Sequence, residues 1–217
     1  MLDRPRVQEV EILPRRLPGL LSVPRAAKGI VVFAHGSGSS RLSPRNTRVA
    51  RALNEAGLAT LLFDLLLPDE AEDRRNVFDI PLLATRLEEA LGWLEDEEFL
   101  APLAVGLFGS STGAAAALVA AARRPEGVLA VVSRGGRPDL AAGALANVKA
   151  PTLLIVGGRD NVVIDLNQRA MAALSCEKRL EIVPGATHLF EEPGTLDAVI
   201  SLASAWFVRF LGRVSDA

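Results

Sequence analysis

The sequence predicts an α/β fold: a mostly parallel central sheet with helices on both faces. Three observations carry this. Short apolar runs rich in β-branched residues, such as "GIVVF" at 29–33 and "PTLLIV" at 151–156, recur along the 217 residues. They are apolar throughout rather than alternating, as strands buried on both faces are. Segments with helical spacing lie between them, and glycine-bearing polar stretches separate the two kinds.

In chain order, Val7–Ile12 and Leu20–Val23 are expected as first strands, parted by the turn residues Pro18 and Gly19. Ile30–Ala34 is a buried strand. "NTRVARALNEAG", 46–57, reads as a helix stopped by Gly57. "LATLLFD" follows as a strand. Residues 79–97 are an amphipathic helix with Asp79 near its start and Pro81 in its first turn. Then come a strand at 103–108, a helix after Gly113, strands at 127–133 and 150–158, a helix at about 164–174, a strand at 178–184 and a helix at 195–211. This gives about eight strands in one domain. The stretches 35–45, 64–78 and 134–149 carry no regular pattern, and none is large enough for a cap domain.

Composition narrows the function. Net charge is -2, with 49% hydrophobic and 23% charged residues, so no general attraction to nucleic acid or an anionic membrane is expected. Cys176 is the sole cysteine, which excludes an intrachain disulfide and fits a reducing compartment. No apolar segment opens the chain as a secretory signal does, and none approaches the roughly 20 residues that span a bilayer. A cytoplasmic location is expected. With only His35 and His188 as histidines, neither a metal site nor a cofactor is expected.

The informative stretch is "LAVGLFGSSTGAAAALVAAARRP", 103–125. It places Gly109-x-Ser111-x-Gly113 where a buried strand passes into a helix. A sharp turn there lifts a serine Oγ clear of the sheet, and crowding around it requires glycine two residues before and two after. Ser110 lacks those flanking glycines. Asp160 follows a later strand in "LLIVGGRD", and His188 follows the last strand in "VPGATHLFEEPG". The order Ser, Asp, His suits a nucleophile, an orienting acid and a base. Asp139 is expected as a helix cap, Asp165 at a helix start and Asp64 on loop backbone.

"HGSGSSR", 35–41, offers a rival, a Gly-x-Gly turn with Asp64 on the next strand where a dinucleotide ribose would bind. Arg41 replaces the third glycine, and Pro44 interrupts the passage into a helix.

Through "HGSGSS", "GSSTG", "GGRD" and "GATHLFEEPG" the sequence resembles the α/β-hydrolase superfamily, and within it the dienelactone hydrolase-like group, over nearly its whole length. The resemblance implies Ser111 as nucleophile, Asp160 as acid and His188 as base. It further implies that the amides of Thr112 and Ser37 form an oxyanion hole, with His35 and Gly36 supporting that loop. Dienelactone hydrolases proper carry cysteine as nucleophile, and Ser111 stands there instead. A serine carboxylic-ester hydrolase acting on a small-molecule ester or lactone is therefore expected. A binding module on the same scaffold and an acyltransferase are the alternatives. Arg41 and Arg45 lie in the loop after strand 30–34, and Arg134 and Arg137 in "SRGGRPD". Arg41 and Arg134 are expected to hold an acyl-side carboxylate, unless such arginines pin loops to Asp64 or Asp69.

Overall fold

The computed structural model describes residues 6–212. Eight strands form one sheet: β1 Val7–Ile12, β2 Leu17–Ser22, β3 Ile30–Ala34, β4 Ala59–Phe63, β5 Val105–Ser110, β6 Ala130–Arg134, β7 Thr152–Gly157 and β8 Lys178–Val183. Their spatial order is β1-β2-β4-β3-β5-β6-β7-β8. β1 pairs antiparallel with β2, and β2 with β4; every other pairing is parallel.

The helices are α1 Pro44–Glu55, α2 Pro68–Glu72, α3 Arg74–Val77, α4 Ile80–Asp96, α5 Thr112–Arg123, α6 Asn161–Ala173 and α7 Thr195–Leu211. A 3-10 segment, Pro138–Asn147, lies between β6 and β7. α4, α5 and α6 cover one face of the sheet, and α1 and α7 cover the other. All five residues of β3 and of β4 are buried, which is why these strands carry no polar alternation. The outer strand β8 instead exposes Arg179 and Ile182 and leaves Lys178 and Glu181 half-buried. Charge along such an edge deters pairing with another chain.

The connection from β3 leads to β4 on one side, whereas β5 leads on to β6 on the other. The order therefore reverses between β3 and β5, and a crevice opens at their carboxyl ends, where ligands bind in sheets of this kind. Phe33 and Phe108 pack behind this point with ring centroids 4.9 Å apart. Burying each such ring contributes roughly 1.5–3 kcal/mol.

Several expected boundaries shift. α1 begins at Pro44, not Asn46, because Ser43 Oγ caps the Asn46 N–H at 3.3 Å and proline at the first helical position has no N–H to lose. α6 begins at Asn161 with Asp160 at its N-cap, so Asp165 lies inside the helix rather than at its start. Asp139 caps nothing: it lies within the 3-10 segment and pairs with Arg137 at 2.8 Å. The stretch 64–78, expected to be irregular, holds α2 and α3. Glu70 Oε2 accepts the Leu67 N–H at 2.9 Å, and Glu70 Oε1 meets buried Arg86 of α4 at 2.6 Å. Tertiary pairing builds these short turns, which have too little length for a periodic pattern. No cap domain stands among the described residues.

Candidate active site

Ser111 occupies the turn between β5 and α5 with φ 51° and ψ -120°. An L-residue adopts this conformation at a cost on the order of 1–3 kcal/mol, and only where its surroundings enforce it. Here they do. The Ser111 N–H donates to the Arg134 carbonyl at 3.3 Å, and the Ser111 carbonyl accepts from the N–H groups of Ala114 and Arg137 at 3.1 and 3.0 Å. The flanking glycines are steric necessities. A β-carbon on Gly109 would lie 2.7 Å from the Ala114 nitrogen, and one on Gly113 would overlap the carbonyl oxygens of Ala34 and His35. Gly36 faces the serine itself, with room for a β-carbon only 3.0 Å from Ser111 Cβ. Ser110 is buried, and its Oγ donates to Asn46 at 3.2 Å.

Asp160 and His188 meet at the carboxyl ends of β7 and β8. Asp160 Oδ2 accepts a hydrogen bond from His188 Nδ1 at 2.7 Å. The network thereby assigns the Nδ1–H tautomer and leaves Nε2 as the basic nitrogen. Backbone bonds hold the two loops in register: the Gly158 N–H donates to Val183, and the Arg159 N–H to Ala186, at 2.8 and 2.9 Å. Gly157 permits this, because a β-carbon there would lie 2.5 Å from the Ala186 oxygen. Glu192 accepts the Thr187 N–H at 3.1 Å and fixes the residue before the histidine. That bond also holds the Glu192 carboxyl below the usual carboxylate range.

Ser111 and His188 line one polar cavity of about 580 Å³ together with Arg45, Arg134 and the loop 36–40. The same loop borders a second, apolar cavity of about 230 Å³ walled by Leu65, Leu66, Val77, Leu83 and Thr112. Thr112 begins α5, where the first N–H groups have no partner within the helix. The Ser37 N–H donates to Thr112 Oγ1 at 3.0 Å.

His35 joins two loops. Its Nε2 accepts the Leu65 N–H at 3.1 Å, so Nδ1 carries the proton and donates to the Gly36 carbonyl at 3.0 Å. Burial pushes its pKa below 6.5, which keeps the ring neutral.

The arginines divide. Arg41, expected at the substrate, instead pairs through both backbone and guanidinium with Asp64, and it lines neither cavity. Arg137 pairs with Asp139 at 2.8 Å. Arg45 meets Glu191 at 3.1 Å while facing the polar cavity. Arg134 also lines that cavity and is only 8% exposed, yet its Nε and Nη1 have no hydrogen-bond partner among the described residues. Burial, reinforced by Arg45, lowers its pKa to about 10, so it stays charged at neutral pH. Sequence reasoning missed the pairing of Arg45 with Arg134, which only the reach of side chains from α1 and β6 into one cavity reveals. It also missed Gly135, at φ 52°, where a β-carbon would meet the His188 carbonyl at 3.0 Å.

Among the described residues no group of three or more His, Cys, Asp or Glu side chains could hold a metal ion. No helix among them is long and apolar enough to cross a membrane.

Comparison with known proteins gives this geometry a lineage. Residues 27–202 match the family model described as an alpha/beta hydrolase domain. The crystal structure of dienelactone hydrolase from Anabaena variabilis is 56% identical, with a TM-score of 0.93 over 96% of this chain and 99% of that one. Est1E from Butyrivibrio proteoclasticus shares the fold at 15% identity and a TM-score of 0.79, over 94% of this chain and 98% of its own. A Mycobacterium tuberculosis protein that carries a provisional phosphoribosyl transferase name is 60% identical over 95% of this chain and 47% of its own length. The chain thus spans about half the length of the first curated relatives it matches. With the fold, the strand-to-helix serine and these likenesses together, the chain belongs to the alpha/beta hydrolase family and is a dienelactone hydrolase-like member of it.

Proposed function

We propose that the chain is a serine carboxylic-ester hydrolase that works through an acyl-enzyme on Ser111. The observation that supports this best is the 2.7 Å Asp160–His188 bond in the wall of the cavity that also holds Ser111. In this reading Ser111 Oγ attacks the carbonyl carbon of a small-molecule ester or lactone while His188 Nε2 takes its proton. The negative charge that develops on the carbonyl oxygen meets the Thr112 amide, at the positive end of α5, and the Ser37 amide. The latter shifts from Thr112 Oγ1 onto the oxyanion. The C–O bond to the alcohol then breaks, and His188 returns the proton to the departing oxygen. Water repeats the sequence in the second half: it gives a proton to His188, attacks the acyl carbon and releases the acid as Ser111 recovers its proton. Asp160 holds the tautomer and stabilises the imidazolium in both halves.

A fluorophosphonate probe tests the reading. Labelling of Ser111 alone is expected. Ser111→Ala is expected to abolish labelling and to lower hydrolysis of 4-nitrophenyl butyrate by several orders of magnitude. Labelling at Ser110, or full esterase activity in Ser111→Ala, overturns it.

A further inference from the structure

The two cavities that meet at the loop 36–40 differ in chemistry, and the difference assigns the two halves of a substrate. An ester poised for attack on Ser111 points its carbonyl oxygen at Ser37 and Thr112. Its leaving oxygen must reach His188, the group that protonates it. His188 lines only the larger, polar cavity, and Thr112 lines only the smaller, apolar one. The departing alcohol therefore extends into the polar cavity, and the acyl chain turns toward Leu65, Leu66 and Leu83.

The polar cavity contains a charge that the fold leaves unanswered. Arg134 is 8% exposed, and among the described residues its Nε and Nη1 find no hydrogen-bond partner. A buried cation without a counter-charge costs several kcal/mol, and such groups are ordinarily paired. Arg41 and Arg137, close by in sequence, have their carboxylates. Arg45 adds a second guanidinium to the cavity and is only partly answered by the exposed Glu191. Ser43 and Pro44, which open the twelve-residue α1, line it as well and set the positive end of that helix there.

Resting on the serine-hydrolase reading, we propose that the substrate is an ester of an alcohol bearing an oxyanion, a carboxylate or a phosphate, with an apolar acyl group, and that Arg134 and Arg45 hold that oxyanion. This places the charge on the leaving alcohol rather than on the acyl side, where the sequence alone suggested it. The products are an apolar carboxylic acid and an anionic alcohol.

Four esters followed by titration of released acid test this. Three are butyryl esters, of 2-hydroxyethyl phosphate, glycolate and 2-methoxyethanol; the fourth is mono-2-methoxyethyl succinate, charged on the acyl side. At least one anionic-alcohol ester is expected to exceed both the 2-methoxyethyl butyrate and the succinate in kcat/KM by about tenfold or more, and the better of the two names the oxyanion. Arg134→Lys and Arg45→Gln are each expected to shrink the anionic-to-neutral ratio by about fivefold or more, chiefly through KM. Arg45 is only half-buried, so its variant reports even where Arg134→Lys folds poorly. Equal rates for anionic and neutral alcohols, or preference for the succinate, with Ser111 still labelled by fluorophosphonate, overturn the subsite and leave the hydrolase reading standing. No labelling and no turnover of any ester overturn both.

Discussion

Asp160 Oδ2 stands 2.7 Å from His188 Nδ1, and this one contact decides which imidazole nitrogen faces the cavity. Replacing Asp160 by Asn keeps the shape but lets the side-chain amide donate to Nδ1, which pushes the ring proton onto Nε2. Asp160→Asn is expected to fold with an unchanged circular dichroism spectrum and to lose on the order of a thousandfold or more in kcat. Asp165→Asn and Asp139→Asn, which do not reach His188, are expected to remain near wild type in the same assay.

Two glycines of the same chain should respond in opposite ways to alanine. On Gly113 a β-carbon would overlap the backbone of Ala34 and His35, which cannot move without parting β3 from β5. Gly113→Ala is expected to lose several kcal/mol of stability or to fail to accumulate as soluble protein. On Gly92, inside α4, nothing lies within 4 Å. Gly92→Ala is expected to raise stability by about 0.5–1 kcal/mol, by denaturant titration, because it restricts the unfolded chain and favours helix.

His35 gives a pH dependence of defined sign. Its folded pKa lies below the ordinary 6.5, with burial as the main cause. Above pH 6.5 the ring is neutral in both folded and unfolded chains, and its contribution is whole. As pH falls below 6.5 the unfolded chain binds a proton that the fold resists, so stability declines until the folded pKa is passed. The melting temperature of wild type is expected to fall more steeply between pH 7.5 and 5 than that of His35→Gln. Parallel slopes would remove His35 from the account.

Arg86 is expected to be the costliest surface-remote charge to delete. It is 2% exposed and ties α4 to Glu70, which in turn caps α2. Arg86→Ala is expected to lose about 3–5 kcal/mol in denaturant titration, since it strands a partly buried carboxylate. The same change should raise KM for esters with longer acyl chains, because Pro68 and Ala71 of α2 wall the apolar cavity.

What could be read in the sequence was what local pattern controls. β3 and α7 fall where expected because their apolar patterns are unbroken, and β1 because its interspersed valines and isoleucine end at the turn before Leu17. The glycines at 109 and 113 could be interpreted because backbone crowding at a strand-to-helix turn is a local matter. α2 and α3 could not, since Glu70 and Arg86 stabilise them across sixteen residues of sequence. The arginines show the same limit more sharply. Arg41 and Arg134 look alike in the sequence, each beyond or at the carboxyl end of a central strand, Arg41 in the loop after β3 and Arg134 as the last residue of β6. Which of them meets a carboxylate depends on where Asp64 lies in space, and sequence position does not carry that.

The two cavities draw on largely separate pieces of chain: residues 64–83 shape the apolar one, and residues 42–45, 134 and 188–189 the polar one, with only 36–40 common to both. That partition makes the two cavities separately mutable. Exchanging Leu65, Leu66 or Val77 remodels the apolar cavity without touching the residues of the polar one, whereas any insertion in 36–40 remodels both at once. In the proposed reading, drift within a lineage, or directed evolution, would explore acids and alcohols as independent variables around an unchanged Ser111.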